Sequence, residues 1–382
     1  MEQHPELAYW LALRRAGLGS TNFALLLARF GTIEAAWNAS AEALRSAGLD
    51  PQYLRGVAKA KASFDGADEL RLMEKHNAYA LTWLDESYPP SLRDIPQSPP
   101  VIFIRGTHGP QFDEAVAVVG TRHVTPYGRQ AAEHFCTVLA EAGVAIISGL
   151  ARGVDAIAHR VALEHGAPTV AVLAGGIDQV YPRENAGLAE RITEHGCLVS
   201  EYPVGIPARR DYFPRRNRII SGLAKAALLI EAGEGSGALH TANWAFEQGR
   251  DVFAIPGSIF SRQSYGTNQL IRENTAKLVA TPEQLCQELN LIATGIPATI
   301  DKARPEPQPA LFEKRTEHTE PAKAAVKHDD HPLLQWLAEG PLHIDEIARK
   351  AERPIAEVSG TLQILELEGR VRSAGAMTYA IA

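Results

Sequence analysis

The sequence predicts an α/β protein built on a Rossmann-like, doubly wound, mostly parallel sheet. A small helical module precedes the sheet and a winged helix follows it. Three observations predict this. Through the middle of the chain, short continuous apolar runs end in glycine or a turn and alternate with helical stripes. Strands of that kind are buried on both faces, as in a parallel sheet covered by helices. The first 77 residues carry helical spacing only, and residues 331–382 carry three helical stripes followed by an alternating segment.

Residues 1–77 read as short helices of the SAM or helix-hairpin kind. Leu7 and Leu11, then Leu25, Leu26 and Phe30, fall at helical spacing, and Gly17-Leu18-Gly19-Ser20 breaks the pattern between them. Asp50-Pro51 is a helix start, with Asp as cap and Pro in the first turn. Basic residues here are scattered, so packing or protein contact explains the module at least as well as DNA binding does.

Residues 78–292 form the Rossmann-like domain. Val116–Val119 runs into Gly120, Val144–Ile147 into Ser148-Gly149, and Thr169–Leu173 into Gly175-Gly176. Ala227–Ile230 approaches Gly233, and Val252–Ile255 meets Pro256-Gly257. Between them lie two helix stripes, Phe135, Val138, Leu139 and Ala142, then Val154, Ile157, Ala158 and Val161. Residues 293–330 hold five prolines among charged residues and too few apolar ones for a core, so a flexible linker is expected. In 331–382, Leu334 with Leu337, Ile344 with Ile347, and Ile355, Val358, Leu362 and Leu365 mark three helices, and a hairpin closes the winged-helix pattern.

The chain has 382 residues and a formal charge of −7, which excludes a uniformly basic nucleic-acid coat but not a local basic patch. Met1–Glu6 has neither a basic nor an apolar signal region, and no apolar run reaches the ~18 residues of a membrane span, so a cytoplasmic protein without membrane contact is expected. Cys136, Cys197 and Cys286 are far apart and odd in number. They fit neither a disulfide framework nor a zinc site, and are expected as buried small hydrophobes in a reducing compartment.

In a parallel sheet, ligands bind beyond the carboxyl ends of the strands. Three loops there suit an anion. Gly120-Thr121-Arg122 combines close backbone approach with a hydroxyl and a guanidinium fork. Ser148-Gly149-Leu150-Ala151-Arg152-Gly153 does the same just before a helix, whose free N–H groups favour phosphate. Gly233-Glu234-Gly235-Ser236-Gly237 opens another helix. The chain lacks G-x-x-x-x-G-K-[ST], and no G-x-G-x-x-G follows the first strand, so neither ATP hydrolysis nor NAD binding is expected. His159 and His240 have no metal-spaced companions and are expected as structural histidines, and Asp155 as a helix-start residue. No metal or cofactor is expected.

The densest charge lies in Arg209-Arg210-Asp211-Tyr212-Phe213-Pro214-Arg215-Arg216-Asn217-Arg218, with five arginines and one acid. Guanidinium groups neutralise phosphates, and an aromatic face stacks on an unpaired base. A duplex exposes no base face, so this composition points to a single strand. The competing reading is a solvated loop with buried aromatics.

These stretches resemble the DprA/Smf family (DNA-processing protein A). Tyr88-Pro89-Pro90-Ser91-Leu92, Pro99-Pro100 and Arg105-Gly106 are similar to its lead-in. Val116–Arg122, Tyr127-Gly128, Ser148–Asp155 with Ala158-His159, Tyr181-Pro182-Arg183-Glu184-Asn185, Ser200–Pro203, Phe213–Gly222 and Gly266-Thr267-Asn268 with Leu270-Ile271 continue the match in order. The resemblance covers residues 88 to about 272. It implies a non-enzymatic single-stranded DNA binder that helps load the RecA recombinase in natural transformation, and a homodimer through the Rossmann-like domain. It implies DNA contacts at Arg122, Arg210 and Phe213, and at Arg250 after the third loop's helix. With the loop readings, the candidate DNA and phosphate site is Gly120, Thr121, Arg122, Ser148, Gly149, Arg152, Gly153, Arg210, Phe213, Arg216, Asn217, Arg218, Gly235, Ser236, Gly237 and Arg250. Arg272–Ala276 departs from the family's Gly-Ala turn.

A second reading is a nucleotide-binding or nucleotide-cleaving enzyme of the lysine-decarboxylase-like Rossmann group, with Glu231 or Glu247 as base. It leaves the arginine run unexplained, and that group's Pro-Gly-Gly-x-Gly-Thr motif is absent. The final module holds seven acids and five bases, with no Lys or Arg from Pro354 to Gly369. Groove reading by its third helix is not expected.

Overall fold

The structure is a computed structural model that describes residues 6–291 and 332–381, apart from 339, 368, 369 and 376. Residues 6–291 form one compact unit and the C-terminal residues a second. The expected linker, 293–330, lies outside the described residues.

The chain begins with six helices, α1 (Leu7–Arg15), α2 (Ser20–Phe30), α3 (Ile33–Asn38), α4 (Ala41–Ser46), α5 (Pro51–Ser63) and α6 (Gly66–Lys75). Pro51 occupies the first turn of α5 as expected, although the Asp50 side chain makes no capping bond. Strand β1 (Ala78–Thr82), α7 (Pro90–Arg93) and β2 (Val101–Gly106) follow. Then come β3 (Ala115–Val119), α8 (Pro126–Glu141), β4 (Ala145–Ser148), α9 (Val154–Glu164), β5 (Thr169–Val172), α10 (Ala186–His195) and β6 (Gly196–Ser200). The return half is α11 (Tyr212–Gly222), β7 (Ala226–Leu229), α12 (Gly237–Glu247), β8 (Asp251–Ala254), α13 (Tyr265–Arg272), β9 (Lys277–Leu278) and α14 (Pro282–Glu288).

The nine strands form one sheet in the order β1-β2-β6-β5-β4-β3-β7-β8-β9. Pairing is parallel from β6 to β9, while β1 with β2 and β2 with β6 are antiparallel. From β3 the chain winds outward through β4, β5 and β6, then returns to β7 on the other side of β3. The strand order reverses there, which opens a crevice at the carboxyl ends of β3 and β7.

The expected boundary near residue 77 is not a break in the core. Trp10, Leu11, Phe23 and Ile33 of the helices share one apolar cluster with Phe103 of β2, Ala171 of β5 and Leu198 of β6. Trp10 is fully buried, stacks on Phe23 at 5.0 Å and meets Trp83 edge-on at 6.2 Å. The helical module therefore covers one face of the sheet as an integral layer.

The second unit contains α15 (Pro332–Leu337), β10 (Leu342–His343), α16 (Ile344–Ala351), α17 (Ile355–Leu367), β11 (Val371–Gly375) and β12 (Thr378–Ile381). Its three strands pair in the order β10-β12-β11 beside the three helices, the winged-helix pattern expected. Ile347 and Leu362 are fully buried at its centre. All three cysteines are free and buried, and burial pushes the Cys136 thiol up to about 12. Among the described residues no helix is long and apolar enough to cross a membrane.

Candidate nucleic-acid interface

A cleft of about 900 Å³ opens where the strand order reverses. Its walls come from the loops after β3 and β7, the segment before α11, and the first turns of α11 and α12.

The loop after β3 is built by close contacts. A Cβ on Gly120 would lie 2.6 Å from Val154 Cγ2, so this position has room for hydrogen alone. Thr121 N–H donates to the Glu231 carbonyl at 2.7 Å, tying the β3 and β7 loops together. Arg122 projects from this anchored turn as an exposed guanidinium on the cleft wall.

The loop after β4 departs from expectation. Its Gly149 and Ala151 N–H groups donate to Asp155 Oδ2 at 3.1 and 3.3 Å. A buried carboxylate of the chain itself thus fills the expected phosphate cradle. Burial pushes the Asp155 carboxyl up, while the Arg216 charge and these N–H groups pull it down. Ser148 is fully buried and donates to the Val118 carbonyl at 2.7 Å. Gly153, at φ 76° and ψ −126°, locks against Thr121, whose carbonyl would be 2.3 Å from an added Cβ. Arg152 makes a two-pronged pair with Glu184 at 2.8 and 2.7 Å and does not line the cleft. Asp155 is the helix-start residue expected, and of this loop only Ala151 lines the cleft.

The loop after β7 keeps its expected place. Gly233, Glu234, Ser236 and Gly237 face the cleft at the N-terminus of α12, and Gly235 turns the chain at φ 67°. Ser236 caps the helix by accepting from Ala238 N–H at 3.4 Å.

The arginine run divides into two groups. Arg209, Arg210 and Arg215 are exposed, whereas Arg216, Asn217 and Arg218 are buried in α11. Arg216 Nη1 donates to the carbonyls of Gly149, at 2.9 Å, and Val172. Burial first, then the Arg122 charge, pulls its guanidinium down to about 10, so it stays charged at neutral pH. Asn217 accepts from Arg216 Nε at 3.1 Å and donates to the Gly237 carbonyl at 3.1 Å, joining α11 to the mouth of α12. Arg218 does not reach the cleft. It pairs through both Nη atoms with buried Glu201, each at 2.9 Å. Removing one partner of such a buried pair costs ~3–5 kcal/mol, so Arg218 is structural.

Phe213 lies at the centre of the site. The Arg122 and Arg216 guanidinium carbons are 5.5 and 5.7 Å from its ring centroid, and Tyr181 meets it edge-on at 5.6 Å. Arg122, Arg210, Phe213, Arg216 and Asn217 therefore converge on one cleft with the third loop. Arg250 does not join them. It precedes β8 at the opposite end of the sheet, where its Nη2 donates to the Ser91 carbonyl at 3.1 Å.

Residues beyond the expected set also line the cleft: Tyr181, His123, His240 and Gln263. Tyr181 is 55% exposed. Its signal was an aromatic residue in the loop after β5, on the same sheet edge. His240 is exposed on the wall rather than a packed structural histidine. His159 is packed as expected, sharing a 2.7 Å hydrogen bond with Thr169 Oγ1, and burial drives its imidazole down to about 3. Glu231 accepts from Thr125 N–H at 3.0 Å and Thr125 Oγ1–H at 2.7 Å and lines a neighbouring pocket instead. Glu247 is exposed at the far end of α12.

Fold and site together define a Rossmann-like α/β protein with an arginine- and aromatic-lined cleft at its topological switch point and an attached winged helix. Residues 79–290 match the family model for DNA recombination-mediator protein A, and residues 317–377 match that of the DprA winged helix domain. Protein Smf of Escherichia coli (strain K12) is 37% identical over 298 residues, covering 78% of this chain and 76% of that one. Protein Smf of Synechocystis is 33% identical over 402 residues, covering 98% of each chain. The X-ray structure of DNA processing protein A from Streptococcus pneumoniae superposes with a TM-score of 0.66 at 32% identity, covering 75% of this chain and 99% of that one. A Helicobacter pylori structure, described for its single-stranded DNA binding mode, gives 0.51 at 26% identity, covering 56% and 95%. The chain belongs to the DprA/Smf family of DNA-processing proteins.

Proposed function

We propose that this cleft binds single-stranded DNA without performing chemistry on it, and that the protein helps load the RecA recombinase onto the strand during natural transformation. The observation that carries the DNA reading is the convergence of Arg122, Arg210, Phe213 and Arg216 on one cleft. Exposed guanidinium groups meet phosphates, and Tyr181 and Phe213 offer ring surface to unpaired bases. The recombinase step is supported by the family's description as a recombination mediator. A non-enzymatic role fits the cleft's two carboxylates. Asp155 is committed to backbone N–H groups, and Glu234 stands on the exposed loop before α12.

We also propose that the protein acts as a cytoplasmic homodimer through its Rossmann-like domain. Ile259 and Phe260, 85% and 92% exposed in the loop after β8, supply apolar surface of the kind a second copy would cover. Sedimentation of the intact chain reads that state directly.

The test of binding is fluorescence anisotropy with labelled single- and double-stranded oligonucleotides over a salt series. Preference for the single strand with a steep salt dependence supports the reading. Equal affinity for both forms, or release of free base from a nucleoside monophosphate, contradicts it.

A further inference from the structure

We propose that the N-terminal helical module braces the DNA-binding edge of the cleft, and that Arg14 and Tyr202 are positioning residues for single-stranded DNA. This rests on the cleft binding single-stranded DNA, as above.

The brace begins in the last turn of α1. Arg14 Nη1 donates to the Leu18 carbonyl at 3.1 Å, closing its own helix end. Its Nε donates to the Glu201 carbonyl at 3.0 Å, and its Nη2 reaches Glu201 Oε2 at 3.5 Å. Neighbouring Arg15 donates to the Val204 carbonyl at 2.9 Å while its fork holds Glu69 at 2.8 and 3.0 Å. Two adjacent arginines of the helical module thus clamp residues 201–204, the segment leading into the loop that carries Arg209 and Arg210.

From that clamp a stack of side chains runs to the cleft edge. The Arg14 guanidinium carbon lies 5.7 Å from the Tyr202 ring centroid. Tyr202 stacks on Tyr212 with centroids 4.0 Å apart and planes at 12°. Arg209 lies over Tyr212 at 5.3 Å. Tyr212 opens α11 and is bonded directly to Phe213, the ring at the centre of the cleft. The Glu201 carboxylate serves both sides, because Arg218 of α11 shares it with Arg14. Burial pushes that carboxyl up, but Arg218 and Arg14 outweigh burial and hold it below the usual carboxylate range.

The consequence is mechanical. The start of α11 has one face on Tyr202, and Tyr202 is fixed by a side chain from the helical module. Tyr202 is only 7% exposed, so the stack is out of reach of a strand in solution and acts through Tyr212 and Phe213. Flattening the Tyr202 ring contact or withdrawing Arg14 leaves every residue on the cleft wall in the sequence but loosens the segment that aims Arg210 and Phe213.

The test uses the full-length protein and a labelled oligo-dT, with anisotropy for affinity and thermal unfolding for integrity. Arg14→Met and Tyr202→Leu are expected to weaken binding about three- to tenfold, the cost of loosening a cation–π or aromatic contact, well below their unfolding midpoints. Tyr202→Phe keeps the ring and is expected to bind like the unaltered protein. Combining Arg14→Met with Phe213→Leu is expected to cost less than the product of the two, because both act on one edge. Combining it with Gln263→Ala, in the cleft-lining loop after β8 and bonded to Thr121, is expected to cost the product. Unaltered affinity in both Arg14→Met and Tyr202→Leu overturns the inference. So does equal multiplicativity with Phe213→Leu and Gln263→Ala, the mark of a general loss of stability. Absence of DNA binding by the unaltered protein overturns the reading of the cleft itself, a result distinct from unaffected variants.

Discussion

Replacing Arg122 with alanine separates a phosphate contact from a general charge effect. Arg122 is exposed on the cleft wall, 5.5 Å from the Phe213 ring centroid. Each phosphate neutralised on a single strand contributes ~0.7 to the logarithmic salt slope, worth about fivefold in affinity near 0.1 M salt. Losing one of the two cations at the Phe213 ring adds ~0.5–1 kcal/mol, because the ring is then less firmly held. Together these predict a loss of about 10- to 25-fold for Arg122→Ala, with the salt slope flattened by about 0.7. The control is Arg152→Ala. It removes the same charge from an exposed pair with Glu184 that does not line the cleft. Its affinity is expected to stay within about twofold and its slope to stay unaltered, since its guanidinium is already committed to Glu184 rather than to a phosphate. Anisotropy titrations at four salt concentrations read both quantities. An unaltered slope in Arg122→Ala, or equal losses in the two variants, refutes the assignment.

Further outcomes follow from the same geometry. Gly153→Ala forces a side chain onto a backbone at φ 76° with the Thr121 carbonyl 2.3 Å away, and is expected to lower the unfolding free energy by about 2 kcal/mol or more in urea melts; a change within about 0.5 kcal/mol contradicts this. His159 is held neutral in the fold at about 3, while the unfolded chain takes up its proton near 6.5. Stability present above pH 6.5 is therefore lost as pH falls toward 3, by about 2 kcal/mol between pH 6.5 and 5. His159→Gln should remove that component of the pH dependence, and identical pH profiles for the two proteins would tell against it. Deleting residues 331–382 is expected to leave single-strand affinity nearly unaltered. Residues 6–291 form a compact unit that holds the cleft, and α17 carries no Lys or Arg. A tenfold loss contradicts that expectation.

The central strands were legible because burial on both faces leaves a continuous apolar run. Val116–Val119 and Ala227–Leu229 are buried throughout. The strands outside that reading carry weaker punctuation. In β1, Ala-Tyr-Ala-Leu-Thr is short and half-exposed at its start, and β6 follows α10 without an intervening turn. The cleft was legible where local chemistry decides it, at Gly120–Arg122, Ser236-Gly237 and Phe213. It was not legible where distant partners decide it. Arginines in a dense run read as solvent-facing, yet the helical period of α11 turns Arg216 and Arg218 inward. They meet Gly149, Val172 and Glu201 there, 67, 44 and 17 residues away. Similarly, a glycine-rich turn before a helix reads as a phosphate cradle until Asp155 is seen to fill it.

The central claim is that the single strand lies in the cleft at the β3/β7 switch point, against Phe213 and Tyr181. Photocrosslinking an oligonucleotide containing 5-iododeoxyuridine to the intact protein, followed by mass spectrometry of the adducts, reads that contact directly. Adducts on Tyr181 or Phe213, lost in Phe213→Leu and Tyr181→Leu, are the predicted result. Adducts confined to α17 and the β11–β12 hairpin of the winged helix, with none on the cleft, would contradict it.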